Sequence, residues 1–99
     1  MLVDQMRESA VKAESLLKML ANQHRLLILC SLLQGPKSVS QLNDAIALSQ
    51  SALSQHLAKL RYLGLVSTEK VGQQVFYTIV SDEVLAVMKT LYEIYCKDI

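Results

Sequence analysis

Leu48-Ser49-Gln50-Ser51-Ala52-Leu53-Ser54-Gln55-His56-Leu57-Ala58-Lys59-Leu60-Arg61-Tyr62-Leu63-Gly64-Leu65 reads as one capped helix with two chemically opposed faces. Leu53, Leu57 and Leu60 recur at helical spacing and make a narrow apolar stripe. Ser49 stands where a hydroxyl caps the first turn, and Gly64 where the chain leaves the helix. Gln50, Ser51, Ser54 and Gln55 give the opening turns short amides and hydroxyls, and Ala58, Lys59 and Tyr62 continue the outer surface. A helix anchored by leucines and offering such groups from its first turns suits the DNA major groove. There, amides pair with adenine edges and hydroxyls with bases or phosphates. Taken alone, the pattern fits an ordinary amphipathic surface helix equally well.

Upstream, a short helix is expected from about Ser40 to Ala47, with Leu42 and Ile46 facing inward. The tight turn at Leu48-Ser49 joins it to the first helix described, so residues 40–63 form a helix-turn-helix. Gly35-Pro36 ends a preceding helix, because proline lacks the amide proton needed to continue it. That helix runs from Gln23 to about Gln34 behind an Asn22 cap and is apolar nearly all round, as expected of the element at the centre of the core. From about Asp4 to Ala21 a further helix carries Met6, Ala10, Ala13, Leu17 and Leu20 along one side.

Downstream of Gly64 the periodicity changes. Residues 66–70 and 75–80 are rich in β-branched and aromatic types, with Val71-Gly72-Gln73-Gln74 as the turn between them. A β-hairpin after a recognition helix makes a wing over residues 65–80. Ser81 caps a last helix in which Val84, Met88, Leu91 and Tyr95 follow a 4-3-4 spacing. The fold expected is mainly α with a small β-hairpin: a winged helix-turn-helix of four helices, two strands and a final helix. It forms one DNA-binding domain over residues 1–99. The stripes of the first and last helices, 1–21 and 82–99, are wide for one small core. They are read as a homodimer interface, against the simpler view that they complete a monomeric core.

Composition agrees with a shared core. Of 99 residues, 52% are apolar, high for a chain with so little room to bury them. No apolar run is long enough to span a bilayer, and Met1-Leu2-Val3-Asp4 lacks the layout of a signal peptide, so a cytoplasmic protein is expected. The net charge of +1 is unevenly spread: balanced over residues 1–21, +3 over residues 22–70 and −2 over residues 71–99. Positive charge thus gathers around the candidate recognition helix, a weak footprint of nucleic-acid binding that a dimer would double. No glycine-rich phosphate loop and no nucleophile–base–acid set is present, so hydrolase or transferase chemistry is not expected. A thiol oxidoreductase is disfavoured too, since there is no Cys-x-x-Cys motif and no cysteine at a helix N-terminus.

With this helix order in hand, the chain resembles the ArsR/SmtB family of bacterial winged-helix repressors. The matching segments are Leu17-Lys18-Met19-Leu20-Ala21-Asn22-Gln23-His24-Arg25-Leu26, the run from Leu48 to Leu57, Gly64-Leu65-Val66 and Val75-Phe76-Tyr77. The resemblance implies a homodimer that binds double-stranded DNA at an inverted-repeat operator and lets go when an inducer is sensed. In that picture Gln50, Ser51, Ser54 and Gln55 read the groove, Lys59 lies beside them, and Lys70 and Gln73 sit near the wing tip over the adjacent backbone or minor groove. The wing carries glutamines where relatives often have arginine.

Many members of that family sense metals, and this sequence departs from them. Val39-Ser40-Gln41-Leu42-Asn43-Asp44 has no cysteine, and residues 81–99 have no histidine. A stable zinc site wants about four N, S or O ligands, so no metal and no cofactor is expected. His24 and His56 are read as structural hydrogen-bonders. What remains is Cys30 and Cys96, sixty-six residues apart. In isolation these read as small buried hydrophobes. A cysteine in the second helix and another near the end of the last resembles the dithiol subgroup of the family. Members of that subgroup respond to persulfides and related reactive sulfur species by bridging the two thiols, directly or through extra sulfur atoms. The resemblance therefore implies a small reactive-sulfur or oxidant inducer acting at Cys30 and Cys96. The alternative is a constitutive winged-helix DNA-binding or anti-silencing regulator with inert thiols.

Overall fold

The computed structural model describes residues 1–97; the last two positions of the expected 82–99 segment lie outside it. The chain runs α1 (Leu2–Leu20), α2 (Gln23–Leu32), β1 (Lys37–Ser38), α3 (Val39–Ala45), α4 (Gln50–Tyr62), β2 (Val66–Val71), β3 (Gln74–Ile79) and α5 (Asp82–Tyr95). This is a winged helix-turn-helix, as the sequence led us to expect.

Four of the five helix starts are set by side chains acting within a few residues of themselves. The Asn22 side chain accepts from the backbone N–H groups of His24 and Arg25 at 3.0 and 3.1 Å and starts α2. Ser49 accepts from the Ala52 amide at 3.1 Å to open α4, and Ser81 from the Val84 amide at 3.2 Å to open α5. The exit of α4 is a Schellman turn. Gly64 takes φ +78°, its N–H donates to Arg61, and the Leu65 N–H reaches back to Leu60 at 3.0 Å. Leu60 and Leu65 are both buried at that turn, so it delivers the chain straight from the core into β2.

The sheet differs from the expected hairpin. It has three strands in the order β1-β3-β2, with β3 pairing antiparallel to both neighbours. Lys37 stands opposite Tyr77 and Ser38 opposite Phe76, so the segment after Gly35-Pro36 forms a short outer strand. Ser38 is also the cap of α3, which therefore begins at Val39 and ends at Ala45 rather than spanning Ser40 to Ala47. The hairpin turn is tighter than expected: Val71 still pairs with Gln74, leaving Gly72 and Gln73 as a two-residue loop. Gly72 takes φ +64° at its first central position, where a type II′ loop calls for glycine.

The core lies between α2, α3, α4 and α5. Ile28, Leu29, Leu42, Leu53, Leu57, Leu60 and Val84 are fully enclosed. The leucine stripe of α4 is thus wholly internal, and each of its side chains contributes about 1.5–3 kcal/mol by leaving water. α1 behaves differently. Of its nineteen residues only Leu20 is buried, and the molecule measures 52 Å along its longest axis. Its Cα radius of gyration is 14.8 Å, above the ~13 Å typical of a compact domain of this length.

Candidate nucleic-acid interface and cysteine groove

Internal packing of Leu53, Leu57 and Leu60 dictates what α4 shows to solvent. Gln50, Ser51, Ser54, Gln55 and Lys59 are all exposed, on the side of the helix away from the core. Lys59 and Arg61 occupy the last turn, where positive charge suits the negative end of the helix dipole. Lys70 lies in β2 opposite Val75, and Gln73 in the hairpin loop; both are exposed. The expected DNA-facing residues therefore fall on two exposed elements, α4 and the wing.

Between those elements runs a polar cleft of about 460 Å³. Gln50 and Gln73 both line it, together with Ser40, Asn43 and Asp44 of α3 and Gln74 of the wing. Neither the α3 residues nor Gln74 is among the DNA-facing residues expected from the sequence. The signal that would have found the former is the Ser38-Val39-Ser40-Gln41 capping box, which starts α3 one residue earlier than expected and turns its first polar residues toward the wing.

The two histidines meet, although they come from different helices. Their ring centroids are 5.7 Å apart, with the planes tilted by 46°. They were expected to act as hydrogen-bonders; instead His24 Nδ1 is buried with no partner among the described residues, and the pair packs ring against ring. Arg25, beside them, donates from Nη1 to the Met19 carbonyl at 3.1 Å. Burial, then the Arg25 guanidinium, then His24 push the His56 imidazole below its ordinary pKa.

Cys30 and Cys96 are also brought together. Both are free and half-buried, and both line an apolar groove of about 700 Å³ between α2 and α5. Leu26, Leu27, Met88 and Leu91 form much of its wall. Burial raises the Cys30 thiol pKa, and nearby Cys96 raises it further. Cys96 is the C-cap of α5, with its N–H donating to the Tyr92 carbonyl at 2.8 Å. Among the described residues no three His, Cys, Asp or Glu side chains cluster as metal ligands, and no helix is long and apolar enough to cross a membrane.

A winged helix whose fourth helix is pinned by leucines and turns amides and hydroxyls outward is the architecture of a DNA-binding transcriptional regulator. Comparison with known proteins narrows the class. The profile described as bacterial regulatory protein, arsR family, matches residues 22–68. The transcriptional activator HlyU of Vibrio cholerae is 50% identical over 95 residues, covering 96% of this chain and 88% of that protein. The structure of reduced HlyU from the same organism superposes with a TM-score of 0.87 at 52% identity, covering 94% of this chain and 98% of that one. The transcriptional repressor BigR from Xylella fastidiosa superposes with a TM-score of 0.89 at 34% identity, covering 97% and 98% of the two chains. The chain belongs to the ArsR family of bacterial transcriptional regulators.

Proposed function

We propose that this regulator is a homodimeric repressor that binds an inverted-repeat operator and releases it when Cys30 and Cys96 become bridged. Gln50, Ser51, Ser54 and Gln55 take the base edges, while Lys59, Lys70 and Gln73 hold the backbone beside them. Support for the dimer comes from α1, whose apolar side, with Leu2, Met6 and Leu17 exposed, is left uncovered by the described residues. A second copy supplies one and also doubles the positive field around α4.

The observation that carries the switch is the groove shared by Cys30 and Cys96. A link across it ties α5 to α2, the helix that leads into the helix-turn-helix. In a dimer joined through α1 and α5, a small rotation there moves the two recognition helices off the roughly 34–36 Å separation of successive major grooves. The inducer class is a persulfide or other two-electron thiol oxidant.

The test is operator binding, followed by fluorescence anisotropy, before and after a persulfide donor. The native protein should release DNA and a Cys30→Ser variant should hold it. Equal release from both ends the dithiol mechanism. A second reading has one observation in its favour: burial and the neighbouring Cys96 raise the Cys30 pKa, which disfavours its thiolate form. A constitutive regulator with inert thiols predicts slow, unselective labelling of the native dimer.

A further inference from the structure

Cys30 lies between two openings. Toward the N-terminal part of α2 is the apolar groove shared with Cys96, walled by Leu26 and Leu27. Toward the C-terminal end of α2 is a second cleft of about 460 Å³, where Leu33 and Gln34 face Lys89, Tyr92, Glu93 and Lys97. The last helix therefore presents two adjacent stripes. Met88, Leu91 and Tyr95 border the groove, whereas Lys89, Glu93 and Lys97, at four-residue spacing, border the cleft. Cys30 lines both openings and Cys96 only the groove. No ion pair within the described residues joins Glu93 to either lysine.

We propose that the second cleft is an anion subsite, in which Lys89 and Lys97 receive the negatively charged sulfur donor that reacts at Cys30 and hold the anion that departs. The proposal rests on the thiol-switch reading and adds to it a substrate charge and a direction of travel. In the first step the Cys30 thiolate attacks the outer sulfur of a persulfide R–S–SH. The donor's S–S bond breaks, Cys30 becomes a persulfide, and RS⁻ leaves to take up the proton that Cys30 had lost. In the second step the Cys96 thiolate attacks the inner sulfur of the Cys30 persulfide. A Cys30–Cys96 bond forms, the outer S–S bond breaks, and HS⁻ leaves. The two thiols lose two electrons, and the donor's outer sulfur is reduced to sulfide. Displacement at sulfur runs in line, so an attack from the Cys96 side expels the anion on the opposite side of Cys30, into the lysine-lined cleft. Glu93 opposes the lysines there, which leaves the three charged side chains with a net charge of +1.

The test uses a Cys96→Ser protein, in which Cys30 is the remaining thiol, and a matched pair of reagents: iodoacetate, an anion, and iodoacetamide, its neutral analogue. The ratio of their alkylation rates reads the local charge and cancels changes in thiol pKa or access. Lys89→Ala and Lys97→Ala should each lower the ratio about threefold at low salt, and Glu93→Gln should raise it by a similar factor. Changes of opposite sign that fade in high salt are what a merely structural role would not produce. In the native background, the two lysine variants should also slow bridge formation by glutathione persulfide, which carries carboxylates. A ratio unmoved by all three substitutions overturns the subsite. A ratio that moves as expected, in a protein whose DNA binding ignores persulfides, keeps the subsite and instead refutes the thiol switch.

Discussion

Ser38 and Gln41 grip each other reciprocally: the Ser38 N–H donates to Gln41 Oε1 at 2.9 Å, and the Gln41 N–H donates to Ser38 Oγ at 3.2 Å. Ser38 is 4% exposed and at the same time stands opposite Phe76 in the sheet. One residue thus joins the start of α3 to the central strand of the wing and fixes the angle of the cleft between them. Ser38→Ala removes the cap and should cost about 1 kcal/mol of stability. Urea unfolding measures it, as a lowered midpoint at unchanged slope.

The two faces of α4 should separate cleanly under mutation. Leu57→Ala empties a fully enclosed position and should cost about 2–5 kcal/mol of stability. Gln50→Ala and Gln55→Ala, at exposed positions, should leave stability within about 0.5 kcal/mol of the native protein. In operator titrations each should lose about 1–3 kcal/mol of discrimination against random DNA. Unchanged discrimination would remove α4 as the reading element.

Lys59 and Lys70 are predicted to act on phosphates rather than on bases. Substituting either with alanine should weaken binding to all sequences alike. It should also reduce the slope of log K against log salt by about 1 per residue. Affinity measured across a salt series for each variant decides this.

The His24–His56 contact sets a pH dependence. Burial, Arg25 and His24 lower the His56 pKa, so below the ordinary histidine value of about 6.5 the unfolded chain binds the proton more readily than the folded one. The associated stability is present above that pH and is lost as pH falls toward the depressed folded value. The charged groups acting on His56 are Arg25 and His24, both of α2. Asp44 of α3 lines the cleft toward the wing, and Glu69 and Lys70 of β2 lie toward the hairpin loop. Thermal unfolding between pH 7.5 and 5.5 should show the midpoint falling in the native protein and falling less in His56→Asn.

Charging the apolar side of α1 should split the proposed dimer. Met6→Lys combined with Leu17→Lys alters two side chains that are 53% and 58% exposed in the single chain. Sedimentation should then report a monomer that keeps its helical spectrum and has lost most of its operator affinity. A native protein that sediments as a monomer at binding concentrations would refute the paired arrangement.

What the amino-acid order determined by itself is everything that acts over a few residues. The caps at Asn22, Ser49 and Ser81, the exit at Gly64 and the leucine stripe of α4 were all legible, because each works through atoms two to five positions away. The winged-helix fold followed from their order. β1 was not legible: two residues, Lys37 and Ser38, carry no period of their own and become a strand only because β3 passes beside them about forty residues later. The same holds for the cleft joining Gln50 to Gln73, for the packed histidines, and for the two openings that meet at Cys30. These depend on where α2, α4, α5 and the wing lie relative to one another, and that placement is decided by packing of the shared core, a property of the whole folded chain that local pattern does not record.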